Sequence, residues 1–186
     1  LARLKSLNDG ICVNGVKKTV RHVLSENDIL TLKIEDTHKS PNICESPIPI
    51  DVIWEDEWYI AVAKPPHLPT HPARHHQGDT LASRVAYLLK DKSFVFRALT
   101  RLDLDTSGVV IIAKNQLSAN EFSKLLIRRE VEKEYLAVCQ GNINVKEGCI
   151  DYPIFRPDEK SILRKTGDMG EEAITRFKVL KSSDDL

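Results

Sequence analysis

The chain has 186 residues, 41% hydrophobic and 29% charged, with 27 basic residues balanced by 27 acidic ones. That length and mix suit one medium globular domain with a small appendage, and zero net charge makes by itself no case for nucleic-acid binding. No run approaches the ~18 to 20 apolar residues of a membrane span, and the N-terminus lacks the charged-then-apolar pattern of a secretory signal, so a cytoplasmic setting is expected.

The four cysteines, Cys12, Cys44, Cys139 and Cys149, form no C-x-x-C pair, which argues against a zinc ribbon or a redox motif. Buried free thiols are expected instead. The chain starts at Leu1 without a methionine and stops in a polar stretch, and reads as a fragment. Charge is unevenly spread: residues 1 to 24 carry Arg3, Lys5, Lys17, Lys18 and Arg21 against the single acid Asp9. Such a cluster is either a solvated face or a phosphate-binding one.

In chain order, Asn8-Asp9-Gly10 is a turn signal, Ile11-Cys12-Val13 a short strand, Asn14-Gly15 a tight hairpin, and Asp28 to Ile34 an alternating strand. Residues 37 to 50 lack periodicity and read as a linker. Beyond it, Ile53 to Ala63 predicts two strands around the acidic turn Glu55-Asp56-Glu57, stopped by Pro65. Residues 67 to 76 gather four of the six histidines, but Pro69 and Pro72 oppose a helix and no acid or cysteine sits at ligand spacing. No metal is expected there.

A helix is predicted over about 80 to 90, capped by Asp79 or Thr80, with Leu81, Val85, Leu88 and Leu89 on one face. Arg101-Leu102-Asp103-Leu104-Asp105-Thr106-Ser107-Gly108 then concentrates a cation, two carboxylates, two hydroxyls and a glycine ahead of the apolar strand Val109 to Ala113. An active-site loop is built this way, although a surface turn also favours Asp, Thr, Ser and Gly. Ser118-Ala119-Asn120-Glu121 reads as a capping box opening a helix whose Phe122, Leu125 and Leu126 pack inward. Tyr135 to Cys139 and Ala173 to Leu180 read as strands, with Asp151 to Arg164 loop-like between them. The pattern is that of a mixed α/β or α+β chain in which strands dominate after the linker.

These pieces together resemble the RluA-type pseudouridine synthases. That family's H-R-L-D-x-x-T-S-G signature is matched by Thr100-Arg101-Leu102-Asp103-Leu104-Asp105-Thr106-Ser107-Gly108, and its K-P-x-G-x-x-x-H-P segment by Lys64 to Pro72. Downstream, K-x-Y is matched by Lys133-Glu134-Tyr135, P-I by Pro153-Ile154, and G-K-x-A-x-T by Gly170 to Thr175, with Glu171 in place of the lysine. Residues 10 to 15 and 27 to 29 resemble the C-terminal part of an S4 RNA-binding module. The expected organisation is a partial S4-like module at 1 to 36, a linker at 37 to 50, and a synthase domain at 51 to 186. A further basic segment of the family, T-G-R-x-H-Q-I-R-x-H, does not occur before Leu186, so that domain is expected to be incomplete.

The resemblance implies an α+β fold with a mixed, mainly antiparallel sheet and flanking helices, and isomerisation of uridine to pseudouridine in ribosomal or transfer RNA, with Asp103 as nucleophile and no cofactor. It implies a substrate-contacting Arg101 and a Tyr135 that stacks on the base. Lys64, His71, Arg74, Thr106 and Ser107 are expected to bind substrate or RNA, as are Lys17, Lys18 and Arg21 of the N-terminal module. Structured RNA is the expected partner of a monomeric protein, with neither DNA nor a membrane involved. The alternative is an RNA-binding adaptor whose synthase-like domain is inactive.

Overall fold

The computed structural model describes residues 4, 5, 7–33, 40, 43–72, 78–90, 94–158 and 163–182. They fall into two compact units, Leu1–Glu132 and Lys133–Leu186.

At the start of the first unit, β1 (Ile11–Val13) pairs antiparallel with both β2 (Val16–Lys17) and β3 (Leu30–Leu32). Asn14 and Gly15 both take positive φ, 51° and 77°, which is the backbone a two-residue hairpin requires. The Asn14 side chain also accepts from Ile29 N (2.9 Å) and donates to Asp28 Oδ1 (2.7 Å), tying the hairpin to the start of β3. Of the strand expected over 28 to 34, Leu30–Leu32 pair among the described residues, and Ile34 lies outside them.

The main sheet runs in the order β4 (Asp51–Glu55), β5 (Tyr59–Lys64), β6 (Gly108–Ala113), all antiparallel. Asp56 shapes the acidic turn, its Oδ1 accepting from the backbone of Trp58 (2.7 Å) and Tyr59 (2.6 Å). Because side chains alternate along a strand, the pairs Ile60↔Ile112 and Val62↔Val110 stack on one face, where all four are completely buried. Leu81, Val85, Leu89, Phe94 and Phe96 complete this core. On the opposite face the Tyr59 ring meets Phe122 with centroids 5.9 Å apart, and its hydroxyl donates to the Ser118 carbonyl (3.1 Å).

Helix α1 (Leu81–Leu88) is capped by Thr80, whose Oγ1 accepts from Ser83 N (3.1 Å). Two more N–H groups of its first turn, on Leu81 and Ala82, donate to the carbonyls of Pro69 and Thr70. Leu88, expected on the inner face, is exposed, while Leu89 is buried as the helix ends. Helix α2 (Gln116–Ile127) begins two residues before the predicted capping box. Asn115 is its cap, accepting from Ser118 N (2.9 Å), so Ser118 lies buried inside the first turn and Glu121 pairs with Lys124 instead. Phe122 and Leu126 are half-buried but Leu125 is exposed. The helix closes with Arg129 at φ 58°, whose N–H reaches Leu126 O while Glu130 N reaches Leu125 O, a left-handed cap.

In the second unit β7 (Glu147–Asp151) pairs antiparallel with β10 (Ile174–Lys178), and β8 (Ile154–Phe155) with β9 (Lys165–Thr166). Within the stretch Asp151 to Arg164 expected as loop, Asp151 ends β7 and Ile154–Phe155 form β8, while residues 159 to 162 lie outside the described ones. The expected strand at Tyr135 to Cys139 does not form: these residues join no sheet and are exposed, so their alternation has no ladder to serve. The cysteines are free but not buried as expected; Cys44, Cys139 and Cys149 are exposed and Cys12 half-buried, since none lies on a core-facing position. The architecture is mixed α+β with antiparallel sheets, and among the described residues no helix is long and apolar enough to cross a membrane.

The segment before β4 is strapped to α1. Ser46 N donates to Ser83 O (3.0 Å), and Arg84 donates through Nε and Nη2 to both oxygens of Asp79 (3.0 and 2.8 Å) and through Nη1 to Pro49 O (3.3 Å). The guanidinium holds the Asp79 carboxyl below its ordinary value, with burial opposing. A depressed folded value adds stability above the unfolded pKa, near 3.9, that is lost as pH falls through the folded one. Urea unfolding of wild type and Asp79→Asn should therefore differ by about 1 kcal/mol at most near neutrality, given the partly exposed carboxylate, and converge in acid.

Candidate active site

The loop from Thr100 to Ser107 joins residues 97 to 99, which run antiparallel beside β6, to β6 itself. Ala113 N donates to Arg97 O (2.9 Å) and Leu99 N to Ile111 O (2.8 Å), while Thr100 Oγ1 accepts from Ile111 N (3.4 Å) at the base. Thr100, standing where the family signature has histidine, is therefore a member of the loop's foundation. At the far end Gly108 enters β6 with φ 138°, a conformation that side-chain-bearing residues rarely adopt. Between these ends Thr106 N donates to Asp103 O (3.2 Å), curling the loop. Leu102 packs against the core while Asp103 is exposed, as the alternation of an extended segment dictates.

The segment 64 to 72 holds this loop. Lys64 extends the inward phase of Ile60 and Val62 and is 1% exposed. Its ammonium donates to three backbone carbonyls, Leu68 (2.8 Å), Pro65 (3.0 Å) and Leu104 (3.0 Å). An ammonium has three donors and all three are engaged here, which gives the Lys64 that was expected to bind substrate a structural part in the fold. Burial pulls its pKa below the ordinary lysine value, while the charges of Asp105 and Asp103 act in the opposite direction. Thr70 Oγ1 donates to Leu102 O (3.1 Å), and His67 Nδ1 lies 2.7 Å from Asp105 Oδ1. Residues 102, 104 and 105 are gripped, and Asp103 stands free between them.

His71 and Arg101 are brought to the same side of this loop. The His71 ring sits edge-on to Phe96 with centroids 5.2 Å apart, and burial together with the Arg101 charge lowers its pKa, so the imidazole is neutral at pH 7. Arg101 is exposed, and among the described residues no ion pair joins it to Asp103. Thr106 is half-buried and Ser107 exposed, both on the outer limb of the loop. Lys17 and Arg21 are exposed and Lys18 half-buried on and after β2; the Asp9 carboxyl is lowered below its ordinary value chiefly by its hydrogen bond from Lys33 and that of Asp28 by hydrogen bonds from Ser25 N and Asn14, with Lys17 and Lys18 adding the smallest share to each. Tyr135 belongs to the second unit and is 61% exposed. Glu171 is also there, pairing through its backbone with Ile154 (2.9 Å in each direction). Arg74, His75 and His76 lie outside the described residues.

Sequence reasoning missed Thr70, His67 and the structural part of Asp105. Only the phase of Lys64 relative to Ile60 and Val62 pointed to the cradle. Replacing Lys64 by methionine leaves three carbonyls without donors, so Lys64→Met should lower stability by about 2–5 kcal/mol in denaturant unfolding. The exposed control Lys124→Met should change it by about 0.5 kcal/mol or less.

Comparison with known proteins places this geometry in a context. The sequence model described as RNA pseudouridylate synthase matches residues 58–185. The uncharacterized RNA pseudouridine synthase YjbO of Bacillus subtilis is 31% identical over 176 residues, covering 94% of this chain and 62% of its own length. The ribosomal large subunit pseudouridine synthase D of Buchnera aphidicola is 33% identical over 135 residues, 72% of this chain and 42% of that protein. The chain thus spans less than two thirds of the length of these relatives. The solved structure of human RNA pseudouridylate synthase domain containing 1 matches 70% of this chain and 50% of its own, with a TM-score of 0.53 at 22% identity, a likeness of fold. With the signature loop, its cradle and more than half of the chain matched in one direction, the chain belongs to the RNA pseudouridylate synthase family.

Proposed function

We propose that the protein isomerises uridine to pseudouridine in structured RNA, ribosomal or transfer, with Asp103 as nucleophile. The observation that carries this reading is the placement of Asp103: an exposed carboxylate whose neighbours on both sides are fixed by Thr70, Lys64 and His67. A reacting group held by its backbone while its side chain is left open meets the main requirement of covalent catalysis, a nucleophile pre-positioned at the cost of little reorganisation.

The reaction breaks the bond between C1′ of the ribose and N1 of uracil, turns the freed base, and joins C1′ to C5. The C5 proton leaves and N1 gains one, so no oxidant or reductant is consumed. Asp103 supports the first step by adding to the substrate or by steadying positive charge at the sugar. The target base must first leave its stack, at about a few kcal/mol. Arg101, beside the loop, suits a contact to the flipped nucleotide or the backbone, and the neutral His71 a hydrogen bond to it. Thr106 and Ser107 offer hydroxyls on the same limb, and Tyr135 offers an exposed ring for stacking.

Lys17, Lys18 and Arg21, on and just after the outer strand of the N-terminal hairpin, fit an S4-like surface that adds phosphate contacts, and Arg74, two residues beyond the Lys64 to Pro72 segment, is assigned to RNA by its nearness to that segment in sequence. Ribosomal RNA is favoured by the likeness to the ribosomal large subunit pseudouridine synthase D of Buchnera aphidicola, and a cytoplasmic location fits such a substrate.

The test is tritium release from RNA labelled at uridine C5, using the full-length protein. Release is expected from wild type, and Asp103→Ala should fall to the protein-free background. Release that survives the substitution sinks the assignment of Asp103, and tight RNA binding without release by either protein favours the adaptor.

A further inference from the structure

Two of the three grips on the catalytic loop fall on backbone carbonyls, and the third does not. His67 reaches Asp105 through its side chain, with 2.7 Å between Nδ1 and Oδ1, although both groups are largely exposed, 82% and 73%. His67 does so from a left-handed backbone, φ 59°, a conformation that costs a residue with a side chain and that persists where the surroundings determine it. It occupies the place at which the K-P-x-G segment has glycine. A glycine would satisfy that backbone without strain, and could make no contact with Asp105.

Resting on the reading of Asp103 as nucleophile, we infer that His67 is a positioning residue for catalysis: its imidazole clasps Asp105 and fixes the downstream limb of the loop. Thr70 holds the upstream side at Leu102, and Lys64 holds Leu104. Without the clasp, the stretch from Asp105 to Ser107 keeps only the Thr106 N to Asp103 O bond among the hydrogen bonds described for it, and the next fixed point is Gly108, paired with Lys64 where β6 begins. The Thr106 bond moves with the loop, since both ends belong to it. The clasp is what refers the limb between Leu104 and Gly108 to the rest of the fold.

Two substitutions separate the clasp from the backbone that presents it. His67→Gly relieves the left-handed strain and removes the donor. His67→Asn tolerates the same backbone and carries an amide N–H the same number of bonds from Cα as Nδ1. Turnover is read as tritium release at saturating RNA, and loop order as hydrogen exchange of the peptide spanning 101 to 107, both on the full-length protein. His67→Gly should lower kcat roughly three- to tenfold with KM unchanged and speed exchange in that peptide, without lowering thermal stability. His67→Asn should restore both, and on an Asp105→Ala background His67→Gly should cost nothing further. Unchanged exchange in His67→Gly, or a His67→Asn protein as impaired as His67→Gly, overturns the clasp. Faster exchange with wild-type kcat overturns its part in catalysis. A wild type that releases no tritium while exchange follows the expected pattern overturns the assigned reaction and leaves the clasp standing.

Discussion

Everything at the candidate site depends on an ammonium group buried at the edge of an apolar core. Lys64 ends a strand whose inward residues are Ile60 and Val62, and in that environment a cation without partners would be costly enough to unfold a domain of ordinary stability. Its three hydrogen bonds meet the cost and set the geometry in the same stroke. Two return to the chain that follows it, forcing the turn at Pro65 to Leu68, and the third crosses to Leu104. Because the charge must find all three carbonyls to be tolerated, the two segments are held in one arrangement. The desolvation that pulls its pKa down is the same force that makes the arrangement unique.

The surrounding elements are recruited to this junction. The carbonyls of Pro69 and Thr70 complete the first turn of α1, and α1 in turn supplies Leu81 and Val85 to the core under β5 and β6. Thr70 therefore faces both ways, its backbone serving a helix and its hydroxyl serving the loop at Leu102. The backbone around Asp103 is fixed through its neighbours, while among the described residues no hydrogen bond or ion pair engages the Asp103 carboxylate itself.

Much of this was legible. The acidic turn, the two strands around it, the strand after Gly108 and the cap at Thr80 all followed from alternation and local hydrogen-bonding chemistry. Asp103 was distinguishable from Asp105 only through family resemblance, because spacing alone treats two aspartates of one loop alike. The errors share a cause. Lys64 was expected to bind substrate or RNA from its place in the K-P segment, yet its phase with Ile60 and Val62 already put it inside. Tyr135 to Cys139 alternates as a strand does, but alternation describes a face and not a partner. Ser118 and Asn115 are both good caps, and the choice between them rests on which oxygen meets the Ser118 N–H, a matter of backbone geometry that composition does not encode.

The three grips span long stretches of chain: 40 residues between Lys64 and Leu104, 38 between His67 and Asp105, and 32 between Thr70 and Leu102. Contacts so distant in sequence reward the chain only after the intervening segment has been brought back on itself, which here means α1 docked and β6 zipped against β5. The reactive loop is therefore a late product of folding. Until that closure Asp103 has none of these three grips around it, so the geometry proposed for the nucleophile is a property of the assembled sheet and not of its loop.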